Sequence, residues 1–259
     1  MKLEDIMNFL EKKYNPELAE KWDNSGLIVG RKESNISAII ICLDVTADVI
    51  EQAVANRAEL IISHHPLIFS EIKKITGDTL LGKKILKLAE NKIAVYSIHT
   101  NADSAANGLN DYILEKLALN GEKSVWLKND SYPESGLGRI LEFKKKMDVH
   151  EISEIIKERL NLKKLRIAGN ENKKVKKIAV LTGAGGSLIP EIDNNIDLYI
   201  TGDLKHHETL DALENGLTLI DLGHYESENI FSELLKNDLL EFFNGKIIRA
   251  KENQVFKII

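Results

Sequence analysis

Two adjacent histidines close the stretch Glu59-Leu60-Ile61-Ile62-Ser63-His64-His65-Pro66. Its apolar residues predict a short buried strand, and Pro66 confines His65 to extended geometry. Imidazoles at the carboxyl end of a buried strand stand where open α/β sheets place their ligands. Imidazole is also the commonest protein ligand for transition metals. A lone tripeptide of this kind is more often a surface loop; the rest of the chain reverses that balance. Of the seven histidines, those at 64, 65, 99, 206 and 224 fall at predicted strand ends or at the start of the helix that follows one.

Carboxylates accompany them. Asp103 comes four residues after His99, and Glu228 four residues after His224. On a helix, His224 and Glu228 would share a face, a spacing open to a metal site or to a helix-capping salt bridge. The set His64, His65, Asp103, His224 and Glu228 carries more nitrogen and oxygen donors than one tetrahedral zinc takes, and no thiolate. It suits zinc, iron(II), manganese or cobalt in five- or six-coordinate geometry. With one carboxylate bridging, it is sufficient for two ions about 3.5–4 Å apart. Such a pair lowers the pKa of a bridging water and polarises a carbonyl or phosphoryl oxygen. Asp44 and His99 are candidates for orienting the ligands or transferring protons.

His207 is a further candidate near the site, as a substrate-binding or orienting group. The turn Gly183-Ala184-Gly185-Gly186-Ser187 comes after a predicted strand, so Gly183 and Gly185 could cradle a substrate anion at a helix N-terminus. A plain tight turn is an equal reading, because neither the dinucleotide fingerprint nor the P-loop pattern is present. The single cysteine, Cys42, lies in the apolar run Ile39–Leu43 and is expected to be a buried, inert thiol.

The elements that must position these groups alternate. Helices are predicted over 3–13, 47–57, 78–91, 107–119, 149–160, 204–215 and 224–240, with a short helical turn at 16–21. Strands are predicted over 36–43, 59–63, 93–98, 138–143, 165–168, 175–181, 197–200 and 217–221. Two short strands near 246–249 and 255–258 finish the chain, and 121–136 reads as a connection. Strands alternating with helices of this length imply an α/β fold with mainly parallel sheets. The order of elements leading to Asp44, the His64-His65 pair and His99 recurs in the order leading to Gly183, Asp203 and His224. Two related α/β units are therefore expected, with a dinuclear metal site in the cleft between them. The first spans 1–125 with about 222–259 packing back onto it, and the second spans 126–221.

The 259 residues are 43% apolar and 29% charged, ordinary values for a globular protein. A net charge of −5 provides no overall pull toward nucleic acid or anionic membranes. Lysine clusters such as Lys73-Lys74 and Lys144-Lys145-Lys146 are flanked by acids and read as solvated faces. No apolar run approaches the ~18 residues of a membrane span, and the first residues lack the apolar core of a signal peptide. A cytoplasmic location is expected.

Seven segments occur here in one order: Trp22-Asp23-Asn24-Ser25-Gly26-Leu27, Leu43-Asp44-Val45-Thr46, Ser63 to Phe69, His99-Thr100-Asn101-Ala102-Asp103, Thr182-Gly183-Ala184-Gly185, Thr201 to His207, and Asp221 to Glu228. By these the chain resembles the type 2 GTP cyclohydrolase I family, also called the Ngg1-interacting-factor-three-like family, in its compact form without an inserted domain. The resemblance implies two related α/β units, two divalent metal ions per chain and a toroidal homohexamer. The family's metal ligands carry over onto His64, His65, Asp103, His224 and Glu228, the set already reached from the residues. A metal-dependent hydrolase of a nucleotide-like substrate is the function it implies first. A ring that binds single- and double-stranded DNA, or a regulatory scaffold with structural metals, are the alternatives.

Overall fold

The run Ala38-Ile39-Ile40-Ile41-Cys42 is buried at every position, as a strand covered on both faces requires. In a computed structural model that describes residues 1–256, the chain divides into two compact units. One comprises Met1–Ala105 with the chain from Phe231 onward, the other Ala106–Ile230.

The first unit begins with α1 (Leu3–Lys13) and β1 (Gly26–Val29), then β2 (Ala38–Cys42), α2 (Ala47–Asn56) and β3 (Leu60–Ser63). It continues with α3 (Leu80–Glu90), β4 (Ala94–Ser97) and α4 (Thr100–Ser104). The second unit contains α5 (Leu109–Leu117), β5 (Gly121–Lys128), β6 (Gly136–Asp148), α6 (Val149–Arg159) and β7 (Arg166–Ala168). It ends with β8 (Lys174–Ala184), β9 (Leu198–Gly202), α7 (His206–Glu214), β10 (Thr218–Asp221) and α8 (His224–Glu228). The chain then returns to the first unit as α9 (Phe231–Leu240) and β11 (Lys246–Arg249).

The fold is mixed α/β with two sheets. The first is ordered β1-β4-β3-β2-β11, all parallel except the edge strand β1. The second is ordered β5-β6-β8-β9-β10-β7. There β8, β9 and β10 are parallel and the other pairings antiparallel, so this sheet is less parallel than the alternation of elements implied. Three successive parallel strands, β2-β3-β4 and β8-β9-β10, form the middle of each sheet. This is the recurrence expected from the sequence. The residues of β2, β3, β4 and β9 are buried throughout, which is why they read as uninterrupted apolar runs. Thr46 caps α2, its side chain accepting from the Val49 amide.

Four elements differ from the sequence reading. The segment 121–136 contains β5, whose exposed positions carry no apolar alternation because it is an edge strand. β1 likewise falls where no element was expected. The helix expected over 107–119 forms as α5, but the short α4 before it was not expected. The long helix expected over 224–240 breaks into α8 and α9, and the boundary between units falls at that break. The other boundary lies at 105/106 instead of near 125, because α5 packs on β6, β8 and α6 of the second sheet. Residues 257–259, part of the strand expected near 255–258, lie outside the described residues. No helix among the described residues is long and apolar enough to cross a membrane.

Candidate metal centre

In the first unit, strand register gathers the candidate residues. Cys42 pairs with Ser63 and Ser63 with Ser97, so β2, β3 and β4 end level with one another. The residues just beyond those ends are Asp44, His64 with His65, and His99. The ladder continues for one more step, with the amides of His64 and His65 donating to the carbonyls of Cys42 and Leu43. One ring nitrogen from each of His64, His65 and His99 lies within 4.8 Å of the others, an arrangement able to hold a metal ion.

The opposite nitrogen of each ring is committed to an oxygen. His64 Nδ1 donates to the Ile98 carbonyl at 2.9 Å, His65 Nδ1 to Asp44 Oδ1 at 2.9 Å, and His99 Nδ1 to Asp23 Oδ1 at 2.8 Å. An acceptor at Nδ1 demands the hydrogen there, which leaves the lone pair on Nε2. Asp103, on α4, places Oδ1 3.6 Å from His64 Nε2. That is too long for a hydrogen bond. Two ligands each about 2.1 Å from one ion stand about 3.0–3.6 Å apart, so the spacing fits a shared cation.

The second unit repeats the pattern. β8 ends at Ala184, β9 and β10 lead to Asp203 and Leu222, and Gly223 then opens α8 with φ +87°. His224 Nδ1 donates to Asp203 Oδ2 at 2.8 Å, while His224 Nε2 stands 3.0 Å from Glu228 Oε2. With its hydrogen on Nδ1, a neutral imidazole presents two acceptors to each other across that gap. Either His224 carries a second proton or a cation lies against both. The helical spacing therefore does bring His224 and Glu228 together, and both readings of it survive.

Asp44 Oδ1 accepts from His65 Nδ1. Glu252 in turn holds the loop that carries Asp44, accepting from the amides of Leu43 at 2.9 Å and Asp44 at 3.1 Å. Burial raises the pKa of the Glu252 carboxyl, and these amide bonds only partly offset it. Asp23, Asp203 and Glu252 were not singled out from sequence. Asp23 and Asp203 sit in segments that carried the family resemblance, and that was the available signal. Nothing local marks Glu252.

Asp23 is the most constrained of these. Its side chain is fully buried and accepts from His99, from the Thr100 amide and hydroxyl, and from the Ser25 hydroxyl. Burial pushes its carboxyl pKa up, but the hydrogen bonds from His99 and Thr100, with the electrostatic attraction of His99, outweigh it. The carboxyl is held well below the usual range.

The glycine turn is a different device from an anion cradle. The Gly183 amide donates to Ser227 Oγ at 2.9 Å and the Gly185 amide to Thr201 Oγ1 at 3.0 Å, so both donors are already used. The turn leads into a short 3-10 helix, Gly186–Glu191. The glycines are there for space. A Cβ on Gly183 would stand 2.1 Å from Glu228 Oε1, and one on Gly185 2.1 Å from the Tyr199 hydroxyl. His207 is exposed and packs its ring against His206; among the described residues no polar contact links it to the other candidates. Cys42 is buried as expected, and burial drives its thiol pKa well up.

Parallel strands here deliver imidazoles and carboxylates from their carboxyl ends, each imidazole backed by an oxygen, in groups able to hold a metal ion. The model of the Duf34/NIF3 (NGG1p interacting factor 3) family matches residues 1–254, and the chain belongs to that family. It is 44% identical over 229 residues to a GTP cyclohydrolase 1 type 2 homolog of Clostridium perfringens, covering 88% of this chain and 87% of that protein. A protein of the same name from Campylobacter jejuni is 36% identical over 258 residues, 98% of each chain. Among solved structures, a hypothetical protein of Staphylococcus aureus superposes with a TM-score of 0.90 at 27% identity, covering 100% of this chain and 99% of that one.

Proposed function

We propose that this protein is a metal-dependent hydrolase of a nucleotide-like substrate, with His64, His65, Asp103, His224 and Glu228 holding two divalent ions per chain. The observation that carries the reading is the Nδ1 commitment of all four histidines, His64, His65, His99 and His224, each to an oxygen within 2.9 Å. Ligating histidines are oriented in this way, and surface loop histidines have no need of it. The imidazole–carboxylate donor set suits zinc, iron(II), manganese or cobalt. The name borne by the curated relatives supports a nucleotide as the substrate class.

A divalent ion at these residues supplies Lewis acidity, lowering the pKa of water and polarising a substrate oxygen. The chain's own contribution is proton handling and orientation. His99 is placed to accept a proton at Nε2, because Asp23 accepts its Nδ1–H and leaves the lone pair there. Asp44 and Asp203 fix the tautomers of His65 and His224. The assembly we take to be a ring of six copies, which light scattering of the purified protein reads directly.

The test is metal content by plasma mass spectrometry together with turnover of GTP by the metal-loaded protein. About two ions per chain, reduced in His65→Ala, with metal-dependent turnover is the expected result. Two ions retained without turnover of any nucleotide would move the assignment to a scaffold with structural metals. Tight DNA binding that falls steeply with salt would move it to the DNA-binding ring. Metal well below one ion per chain, unchanged in His65→Ala, would remove the centre altogether.

The orienting carboxylates make a separate prediction. Asp44→Ala and Asp203→Ala are each expected to weaken zinc or manganese binding about ten- to hundred-fold in calorimetric titration of the apo-protein. Both side chains are half exposed, so the thermal unfolding of the apo-protein should hardly change. Unaltered affinity in both variants would mean that these contacts serve the fold alone.

A further inference from the structure

Two aromatic side chains flank His99 from different loops. The Trp22 ring stands 5.9 Å from the His99 ring, centroid to centroid, at 75°. The Phe69 ring stands 5.9 Å away at 90°. Both are largely in solvent, Trp22 at 64% and Phe69 at 57% of their full exposure. Single exposed apolar residues need no explanation, but two large aromatic groups beside one imidazole of a candidate metal centre do.

Neither loop is loosely attached. Trp22 adjoins the buried Asp23, which is held by His99, Thr100 and Ser25. The two loops are joined by Asn24 Nδ2 donating to the Ile68 carbonyl at 2.7 Å, next to Phe69. Aromatic rings presented in this way on an ordered support are stacking surfaces for flat rings. Aromatic walls beside a few convergent polar groups also describe a small-molecule site.

We propose that Trp22 and Phe69 form the surface on which the heteroaromatic ring of the substrate stacks, which places that ring beside His99. The substrate class this selects is a nucleobase or a comparably flat nitrogen heterocycle. A sugar phosphate or a phosphate ester without a ring would find no use for the two aromatic groups. The inference rests on reading the histidine cluster as a substrate-facing centre.

The chain has two tryptophans, and the other, Trp126, is buried in the second unit. In the Trp126→Phe protein, loaded with metal, Trp22 becomes the only indole reporter. Guanosine and adenosine 5′-monophosphates are expected to quench its emission saturably, whereas ribose 5-phosphate and inorganic phosphate should not. In the otherwise unaltered chain, Trp22→Ala is expected to weaken binding of either nucleotide about ten- to hundred-fold in calorimetry, with Trp22→Phe restoring most of it. Metal content, measured on the same samples, should be unchanged. If metal is retained but ribose 5-phosphate binds as tightly as the nucleotides, or Trp22→Ala alters nothing, the stacking surface is refuted while the metal centre stands. Absent metal would instead point to failure of the centre itself. Blue-shifted Trp22 emission shielded from acrylamide before any ligand is added would mean that another copy of the chain covers this surface, and would overturn the proposal.

Discussion

Gly183→Ala is expected to lose most of its affinity for divalent metal while remaining folded. At φ +70° an alanine is strained by about 1 kcal/mol, and its Cβ would come 2.1 Å from Glu228 Oε1 and 3.7 Å from His224 Nε2. The backbone of β8 cannot retreat easily, since the neighbouring Thr182 amide is held by Asn110 Oδ1 at 2.9 Å and the Gly183 amide by Ser227 Oγ at 2.9 Å. The carboxylate must therefore move. The cost falls on the Glu228–His224 pair and little of it on the core. We expect an affinity loss of about 100-fold or more, at the upper end of what disturbing a ligand's surroundings does.

Gly216→Ala supplies the control. It has φ +78° and nothing within 4 Å of an added Cβ, so it carries the backbone strain without the clash. Both variants should unfold at similar, slightly lowered temperatures, and only Gly183→Ala should lose metal in titration. Equal metal affinity in the two would mean that Glu228 is not a ligand.

The largest loss of stability is expected for Asp111→Ala. Arg139 is 1% exposed, an extreme for a guanidinium, and it is kept there by Asp111 Oδ2 at 2.6 Å and by the carbonyls of Gly136 at 2.7 Å and Gly138 at 2.8 Å. Asp111 also pairs with Lys123 and accepts from the Asn107 amide. Removing the carboxylate leaves a buried cation without its counter-charge, which costs about 3–5 kcal/mol. Replacing the arginine by Met removes both the charge and its need, so Arg139→Met should lose clearly less. Denaturant midpoints of the two variants provide the comparison, and equal losses would show that packing of the arginine stem is what matters.

Acid has the same target. Burial alone would raise the Asp111 pKa, but the Arg139 hydrogen bond and charge, then Lys123, hold it below the usual carboxylate range. A folded pKa below the unfolded value of about 4 means that the contribution is complete above that value and is lost as pH falls through the folded one. The wild-type protein should therefore lose stability more steeply than Asp111→Ala below about pH 4.

Much of the site is local in the chain, and that part was legible. His64 and His65 come at the end of an apolar run that meets a proline, Asp103 lies four residues beyond His99, and Glu228 lies one helical turn beyond His224. Each relation depends on backbone geometry that holds wherever such a strand end or helix start occurs. The two parallel three-stranded centres were legible for the same reason, since buried strands separated by helices have few alternatives. Edge strands β1 and β5 were not, because half-solvated strands with turn residues carry no such pattern.

The contacts that orient the site are separated by 76 residues for Asp23 and His99, 21 for Asp203 and His224, and 209 for Glu252 and Leu43. No periodicity links residues so far apart. They meet only because parallel strands align their carboxyl ends in register and the loops beyond those ends are then packed together. The sequence alone determined which groups could bind a metal and on which strand ends they stand. Tertiary structure decided which oxygen holds each imidazole, and why position 183 has no room for a side chain.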